Sequence, residues 1–212
     1  MNARAQSRAE EIANSVSHGL GCVLALAFMP FLIGSIAERG PTIAVVGSIV
    51  FAVTMVLLYF ASALYHALPD SRAKTICGKL DHGAIYLFIA GSYTPFALGV
   101  LNGAWGWSLF GVVWGLAGIG ITLKMLDRLS HPLWSTGLYL LMGWLVVAAA
   151  VPLIARMPSP GLLWLLAGGL AYTAGVIFFL TDARVRFGHF IWHLFVMAGT
   201  ACHAVAVAGY SL

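Results

Sequence analysis

Seven long apolar runs, separated by short polar segments, constrain the fold of this chain more than any other feature of its sequence. Each run holds about 20 residues or more, enough for a helix to cross roughly 30 Å of hydrocarbon. Because a backbone inside a bilayer must satisfy its own hydrogen bonds, runs of this length are predicted to be helical. The sequence therefore predicts an all-α membrane protein, a bundle of seven transmembrane helices. The predicted spans lie near residues 16–37, 42–66, 81–101, 105–125, 132–154, 161–181 and 189–210.

The composition excludes a soluble domain. Only 8% of the residues are charged and 61% are apolar, whereas charged residues make up about 25% of a typical soluble domain. The 11 Lys and Arg residues outnumber the 7 acids, but they lie in short loops, where they encode orientation in a membrane, so no nucleic-acid partner is predicted. The three cysteines form no CxxC pair and are predicted to be reduced.

The chain is divided into a polar segment, residues 1–15, and a seven-helix domain, residues 16–212. The segment is expected to form a short helix at the cytoplasmic surface of the membrane. The apolar run that follows is too long for the central region of a signal peptide, and no cleavage site of small residues follows it. It is therefore counted as the first transmembrane helix.

The basic residues predict the orientation of the bundle, because short cytoplasmic loops carry an excess of Lys and Arg. The N-terminus and the segments after helices two, four and six carry nine basic residues, and the opposite side carries two. The N-terminus is therefore predicted to be cytoplasmic and the C-terminus to lie outside. The nine are Arg4, Arg8, Arg72, Lys74, Lys79, Lys124, Arg128, Arg184 and Arg186, and the two are Arg39 and Arg156.

Three histidines are predicted to share one depth near the cytoplasmic interface. His189 and His193 lie four residues apart, on one face of the last helix, with Cβ atoms roughly 6 Å apart. His66 ends the second helix at the same side of the membrane. Three imidazoles with an open fourth position are the catalytic pattern for zinc, in which a bound water can be deprotonated near neutral pH. The alternative is that His189 and His193 are interfacial histidines that pack against tryptophans, and that His66 is an interfacial histidine as well.

Two further polar residues are predicted at the same depth. Asp81 begins the third helix and would be hydrogen-bonded to the zinc-bound water or to a ligand imidazole. Ser62 lies one turn before His66 and could hold the water or donate to a developing oxyanion. The alternatives are that Asp81 only complements the helix dipole and that Ser62 only packs and bonds to its own helix.

The other histidines are assigned lesser roles. His18 is expected to be structural or to support a ligand from behind. His82 points away from Asp81, by about 100° around the helix, and His131 precedes a proline in a loop, where it is expected to be solvated. His203 lies ten residues past His193, about 15 Å deeper, which is too far to share the ion.

Further motifs accompany these histidines, and the full set is Glu11 to Gly19, Ser62 and His66, Lys79-Leu80-Asp81, Gly91-Ser92-Tyr93-Thr94-Pro95, and His189 and His193 with His203. Together they resemble the hemolysin III branch of the progestin and adiponectin receptor family. The resemblance implies seven helices with a cytoplasmic N-terminus, in a bacterial inner membrane, and a zinc ion held by His66, His189 and His193. It implies that Asp81 contacts the zinc-bound water and that Ser62 lies beside the site.

Three functional classes follow. The family belongs to a wider set that includes alkaline ceramidases, which implies zinc-dependent hydrolysis of a lipid amide. The predicted depth of the site, near the cytoplasmic interface, favours an amide or ester of an inner-leaflet lipid as the substrate. Because the HExxH glutamate is absent and Asp81 is the only acid predicted at that depth, Asp81 would be the base. The second class is a sensor or regulator of membrane state with a structural zinc. The third is a cytolytic pore, which is disfavoured because, apart from His203, the helix interiors offer no strongly polar groups to line water.

Overall fold

The fold is a bundle of seven helices in a computed structural model that describes residues 4–129 and 131–212. Within those residues every element of secondary structure is helical, and seven helices are long and apolar enough to cross a membrane. The predicted fold class is therefore confirmed. We number them α1 (Arg8–Ala37), α2 (Thr42–Ala67), α3 (Arg72–Pro95), α4 (Gly103–Met125), α5 (Pro132–Trp144), α6 (Ser159–Thr181) and α7 (Gly188–Tyr210). α3 continues as a π-helical turn, Phe96–Leu101, and α5 continues through a 3-10 segment, Leu145–Ala149, into Ala150–Arg156.

Two helices begin earlier than the hydropathy pattern predicts. The prediction of a separate surface helix within residues 1–15 is wrong, because α1 runs without a break from Arg8 to Ala37. A capping box starts it: the Ser7 hydroxyl accepts a hydrogen bond from the Glu10 amide at 3.4 Å, and the Glu10 carboxylate accepts one from the Ser7 amide at 2.9 Å. α3 begins at Arg72 rather than near residue 81, since Ser71 caps it. Hydropathy misses such polar first turns because they lie beyond the apolar run.

Neighbouring helices pack in an order that leaves α5 at the periphery. α1 lies against α2 and α7, α2 against α3, α3 against α4, and α6 against α7, whereas α5 packs less closely against α3, α4 and α6. Small residues allow the closely packed helices to approach one another. A Cβ atom on Gly47 of α2 would lie 2.9 Å from the Cα atom of Pro95, and one on Gly175 of α6 would lie 2.7 Å from the Cβ atom of Phe195.

The break in α5 is organised by Tyr93 of the Gly-Ser-Tyr-Thr-Pro motif. Its hydroxyl lies 2.8 Å from the Met142 carbonyl oxygen and 2.7 Å from that of Gly143, and it accepts a hydrogen bond from the Val146 amide at 2.9 Å. Backbone groups of this kind lose their hydrogen-bond partners within the helix when the helix geometry changes. The buried Tyr93 hydroxyl on α3 therefore supplies hydrogen-bond partners to the backbone groups at the point where α5 becomes a 3-10 helix.

The outward faces of the helices carry many exposed apolar side chains, such as Val16, Leu163 and Ile177, each more than half exposed. In water such surfaces would be unfavourable, but lipid tails solvate them. Many of the buried polar side chains, including Glu10, Asn14, His66 and His193, instead lie in the first turns of α1 and α7, at the end of α2 and in the N-terminal half of α3. We call this the histidine end of the bundle.

Candidate metal centre

Three histidines meet at the histidine end. His66 comes from the last turn of α2, and His189 and His193 come from the first two turns of α7. One ligand nitrogen from each lies within 4.8 Å of the others, and this is the only such group of three in the described part of the chain. His66 is 4% exposed and His193 is 1% exposed. The structure therefore brings together the three residues that the sequence pattern selects.

Carboxylates orient two of these imidazoles from outside. The Nδ1 atom of His66 lies 2.7 Å from Oε2 of Glu11, and the Nδ1 atom of His189 lies 2.9 Å from Oδ2 of Asp182. An imidazole that donates from Nδ1 to a carboxylate has its Nε2 lone pair free and made more basic, which is the usual arrangement behind a metal-bound histidine.

The third imidazole is oriented by neutral groups of α1. The Nδ1 atom of His193 lies 3.2 Å from the Asn14 carbonyl oxygen and 3.0 Å from the Ser17 hydroxyl. Meanwhile the Nε2 atom of His66 is buried and has no hydrogen-bond partner among the described residues. A buried nitrogen without a partner is costly, and three imidazoles with free Nε2 atoms fit a zinc ion better than they fit an apolar core.

A second layer of charges ties this site to the N-terminal segment. Lys74 lies 3.0 Å from Glu11 and also donates to the carbonyl oxygens of Tyr65 and Leu68 at the end of α2. Because Lys74 is itself anchored to α2, it fixes the carboxylate that orients His66.

The neighbouring acid, Glu10, links α1 to the start of α7. Its carboxylate accepts hydrogen bonds from Arg4, at 2.6 and 2.7 Å, and from the Phe187 amide, at 2.8 Å. The hydrogen bonds to Glu10 raise the pKa of the Arg4 guanidinium above its usual value. Phe187 has a left-handed backbone, with φ of 57°, immediately before the helix that carries His189.

Asp81 and Ser62 lie close to the histidines but do not orient them. Both are buried, at 8% and 1% exposed, and both line a cavity that also reaches His189 and His193. Among the described residues, the acids hydrogen-bonded to the imidazoles are Glu11 and Asp182 rather than Asp81. Asp81 thus makes no hydrogen bond to a ligand imidazole among the described residues, although the sequence pattern allowed for one. The alternative, that Asp81 contacts a zinc-bound water, stays a prediction.

His18 lies closer to the site than the sequence suggests. Its ring stacks on that of His193, with centroids 3.5 Å apart and planes within 6° of parallel. His18 is not part of the group of three histidines whose ligand nitrogens lie within 4.8 Å of one another. His18 is therefore a neighbour of the ligand set rather than a fourth member.

The remaining two histidines near this end behave differently. His131 is exposed and its Nδ1 atom accepts a hydrogen bond from the Leu133 amide at the start of α5, as a loop residue would. His82, expected to point away, does line the cavity with Asp81, and its Nδ1 atom lies 2.6 Å from the Gly78 carbonyl oxygen.

The cavity has a volume of about 410 Å³, within the range of roughly 300–1,000 Å³ typical of ligand sites. Asp81 and four of its five histidines line it near the histidine end, and most of the rest of the wall comes from apolar side chains of α2, α3, α5, α6 and α7. It extends along α7 from His189 as far as His203. Representative apolar wall residues are Leu58, Ile85, Phe88, Leu140, Leu165 and Phe179.

Seven apolar helices closed at one end by a buried histidine cluster define a polytopic membrane protein with a candidate metal centre. The family model described as Haemolysin-III related matches residues 6–204, and the chain belongs to that family. Hemolysin-3 of Bacillus cereus is 42% identical over 96% of this chain and 92% of its own length. The hemolysin-3 homolog of Bacillus subtilis is 41% identical over 95% of this chain and 94% of its own.

A more distant relative connects the chain to animal proteins. The human monocyte to macrophage differentiation factor is 31% identical over 76% of this chain and 68% of its own length. It belongs to the progestin and adiponectin receptor family, so the resemblance inferred from the motifs is confirmed.

Two acids that hydrogen-bond to the histidine cluster were not identified from the sequence, namely Glu11 and Asp182. Neither lies inside an apolar run, and each is one of only 7 acids in the chain. In a chain with so few acids, an acid next to a predicted span is a signal that could have drawn attention to both.

Proposed function

We propose that this protein, in the bacterial inner membrane, binds zinc through His66, His189 and His193 and hydrolyses an amide or ester bond of a lipid from the inner leaflet. The observation that carries the proposal is the orientation of the imidazoles, whose Nδ1 atoms are engaged from outside while the Nε2 atom of His66 is buried and unpartnered. The cavity beside them is long, mainly apolar and large enough for a ligand.

When bound, zinc at such a site lowers the pKa of a water molecule and polarises a carbonyl group. Asp81 faces the same cavity as His189 and His193 and would accept the proton from the attacking water. Ser62, one turn before His66 on α2, would donate a hydrogen bond to the carbonyl oxygen as that oxygen gains charge. The apolar wall would hold the acyl chain and exclude bulk water from the reacting bond.

A sensor or regulator with a structural zinc is the second candidate. It is supported by the way Glu10, Glu11 and Lys74 link α1 to α2, α3 and α7 around the histidines, because an ion there would stabilise the whole histidine end. Cytolysis, suggested by the name of the Bacillus cereus relative, has less support, since the cavity wall is apolar over most of its length.

Replacement of Asp81 tests the hydrolase proposal. Asp81→Asn keeps the size of the side chain but removes the base, so zinc content should persist while turnover of a lipid amide or ester falls by about 100-fold or more. The assay is release of free fatty acid from a panel of ceramides and phospholipids presented in mixed micelles to the zinc-loaded protein.

The matched control is Asp127→Asn, which alters an exposed acid paired with Lys79 at the surface. It should leave turnover unchanged. If wild-type protein loaded with zinc releases no fatty acid from any lipid, or if Asp81→Asn cells keep the full phenotype that His66→Ala cells lose, the hydrolase proposal gives way to the structural zinc.

A further inference from the structure

Among the residues that the structure describes, His203 is the one histidine that lines the cavity far from the histidine end. It lies on α7, ten residues past His193, and a helix rises about 15 Å over that distance. The hydrocarbon core of a bilayer is about 30 Å thick, so an acyl chain whose polar end lies at the histidine cluster would reach His203 along its length. The metal centre does not use this residue.

The hydrogen bonds of His203 define what it can bind. Its Nε2 atom lies 3.4 Å from the Leu165 carbonyl oxygen, a group that can only accept. A charged imidazole without a counter-ion is costly at this depth, so the ring is neutral and carries its one hydrogen on Nε2. The Nδ1 atom is then an acceptor, and it is buried without a partner among the described residues.

The neighbouring polar groups are already committed. The ring of Tyr172 lies edge-on to His203, with centroids 5.4 Å apart, and its hydroxyl lies 3.0 Å from that of Thr200. Thr200 donates its own hydrogen to the Val196 carbonyl oxygen at 2.8 Å, so the hydroxyl hydrogen of Tyr172 is used in the bond to Thr200.

The position of the ring is fixed by a close approach of α6. A Cβ atom on Gly168 would lie 2.6 Å from Nε2 of His203, so any side chain there would displace the imidazole. The imidazole of His203 is thus held in one position in the cavity wall.

We propose that the Nδ1 atom of His203 binds a hydroxyl group carried partway along an acyl chain, so that the cavity selects hydroxylated acyl lipids. The partner must donate a hydrogen, which a hydroxyl does and a ketone does not. This inference rests on the proposed function in one respect, namely that an acyl chain occupies the cavity with its polar end at the histidines.

The test compares fatty acids in one binding assay. Stearic acid, hydroxystearic acids with the hydroxyl at successive positions, and the matching ketostearic acids displace a fluorescent fatty acid from the zinc-loaded wild-type protein in nanodiscs. One buried hydrogen bond should strengthen binding about threefold to tenfold. The gain should peak when the hydroxyl lies about 15 Å from the carboxylate, and the ketones should show none.

Two variants of similar size assign the effect to this residue. His203→Asn retains a polar group near the position of Nδ1 and should keep part of the preference for the hydroxyl. His203→Leu should bind hydroxylated and plain chains equally, with its zinc content unchanged.

The outcomes separate this inference from the proposed function. If stearic acid itself does not bind, no acyl chain enters the cavity, and both ideas fall. If stearic acid binds but the hydroxyl gives no gain at any position, Nδ1 is satisfied by a buried water, and only the inference is overturned. A gain that survives His203→Leu would overturn it as well.

Discussion

The two ends of the bundle use the same basic residue types for different purposes. At the end opposite the histidines, Arg39 donates to the Ala208 carbonyl oxygen at 2.6 Å, and Arg156 donates to that of Leu101. At the histidine end, Arg4 and Lys74 bind carboxylates that themselves contact α7 or His66. The first arrangement satisfies the C-terminal carbonyls of helices, whereas the second holds a site in position.

This difference teaches that basic residues near a membrane surface can have distinct structural roles. A cation on a helix C-terminus contributes locally and modestly. A cation paired with a carboxylate that orients an imidazole acts on the geometry of everything the imidazole binds. Substitutions at the two ends should therefore differ in kind, and the following predictions are ordered by the size of the expected effect.

The largest contrast is in accessibility, because the charge bias predicts that the two ends face different compartments. In a chain carrying C22S and C202S, an impermeant maleimide added to intact cells should leave Cys77, at the histidine end, unlabelled. The substitution L212C places a thiol at the C-terminus, at the end of the bundle opposite the histidines, and this thiol should label fully as the control. Labelling of Cys77 in intact cells would reverse the predicted orientation.

Removal of a ligand histidine should have the next largest effect. His66→Ala should reduce bound zinc from one per chain to nearly none and lower the stability of the fold. The loss amounts to about 4 kcal/mol when free zinc is at 1,000 times its dissociation constant. Metal analysis and thermal unfolding, with and without chelator, measure both. His131→Ala, at an exposed histidine, should keep its zinc, and equal zinc in the two variants would contradict the ligand assignment.

Loss of an orienting carboxylate should have an intermediate effect. Glu11→Gln keeps the side-chain size but weakens the hydrogen bond to His66, so zinc affinity should fall by about 10- to 100-fold. A competition titration with a fluorescent chelator measures it. Glu38→Gln, at an exposed acid beyond the other end of the same helix, should leave the affinity unchanged. Equal affinity in both variants would show that Glu11 does not act on the site.

The smallest effect is expected at the opposite end. Arg39→Ala removes hydrogen bonds to two helix carbonyls, those of Ser35 and Ala208, and should lower the free energy of unfolding by less than about 1 kcal/mol. Zinc affinity should stay at the wild-type value. A loss of zinc affinity as large as that of Glu11→Gln would remove the distinction between the two ends.

Much of the fold and the centre of the site could be predicted because they depend on local patterns. Run length predicts the seven helices, and the four-residue spacing of His189 and His193 places them on one face. The depth of His66 follows from where its apolar run ends. None of these inferences needs to know which helices are neighbours.

The supporting residues could not be predicted because they depend on which helices touch. Glu11 reaches His66 across 55 positions of sequence, and His18 stacks on His193 only because α1 packs against α7. The break in α5 depends on the Tyr93 hydroxyl from α3. Hydropathy carries no information on such pairings, and it also hid the polar first turns of α1 and α3.

The central claim is that His66, His189 and His193 hold one zinc ion through their inward nitrogens. X-ray absorption at the zinc edge, on purified protein together with total metal analysis, tests it most directly. The account predicts one zinc per chain, with three imidazole nitrogens at about 2.0–2.1 Å, one further light atom and no sulfur ligand, and loss of the metal in the double variant His189→Ala, His193→Ala. Full zinc occupancy in that double variant, or a sulfur ligand in the wild-type spectrum, would contradict it.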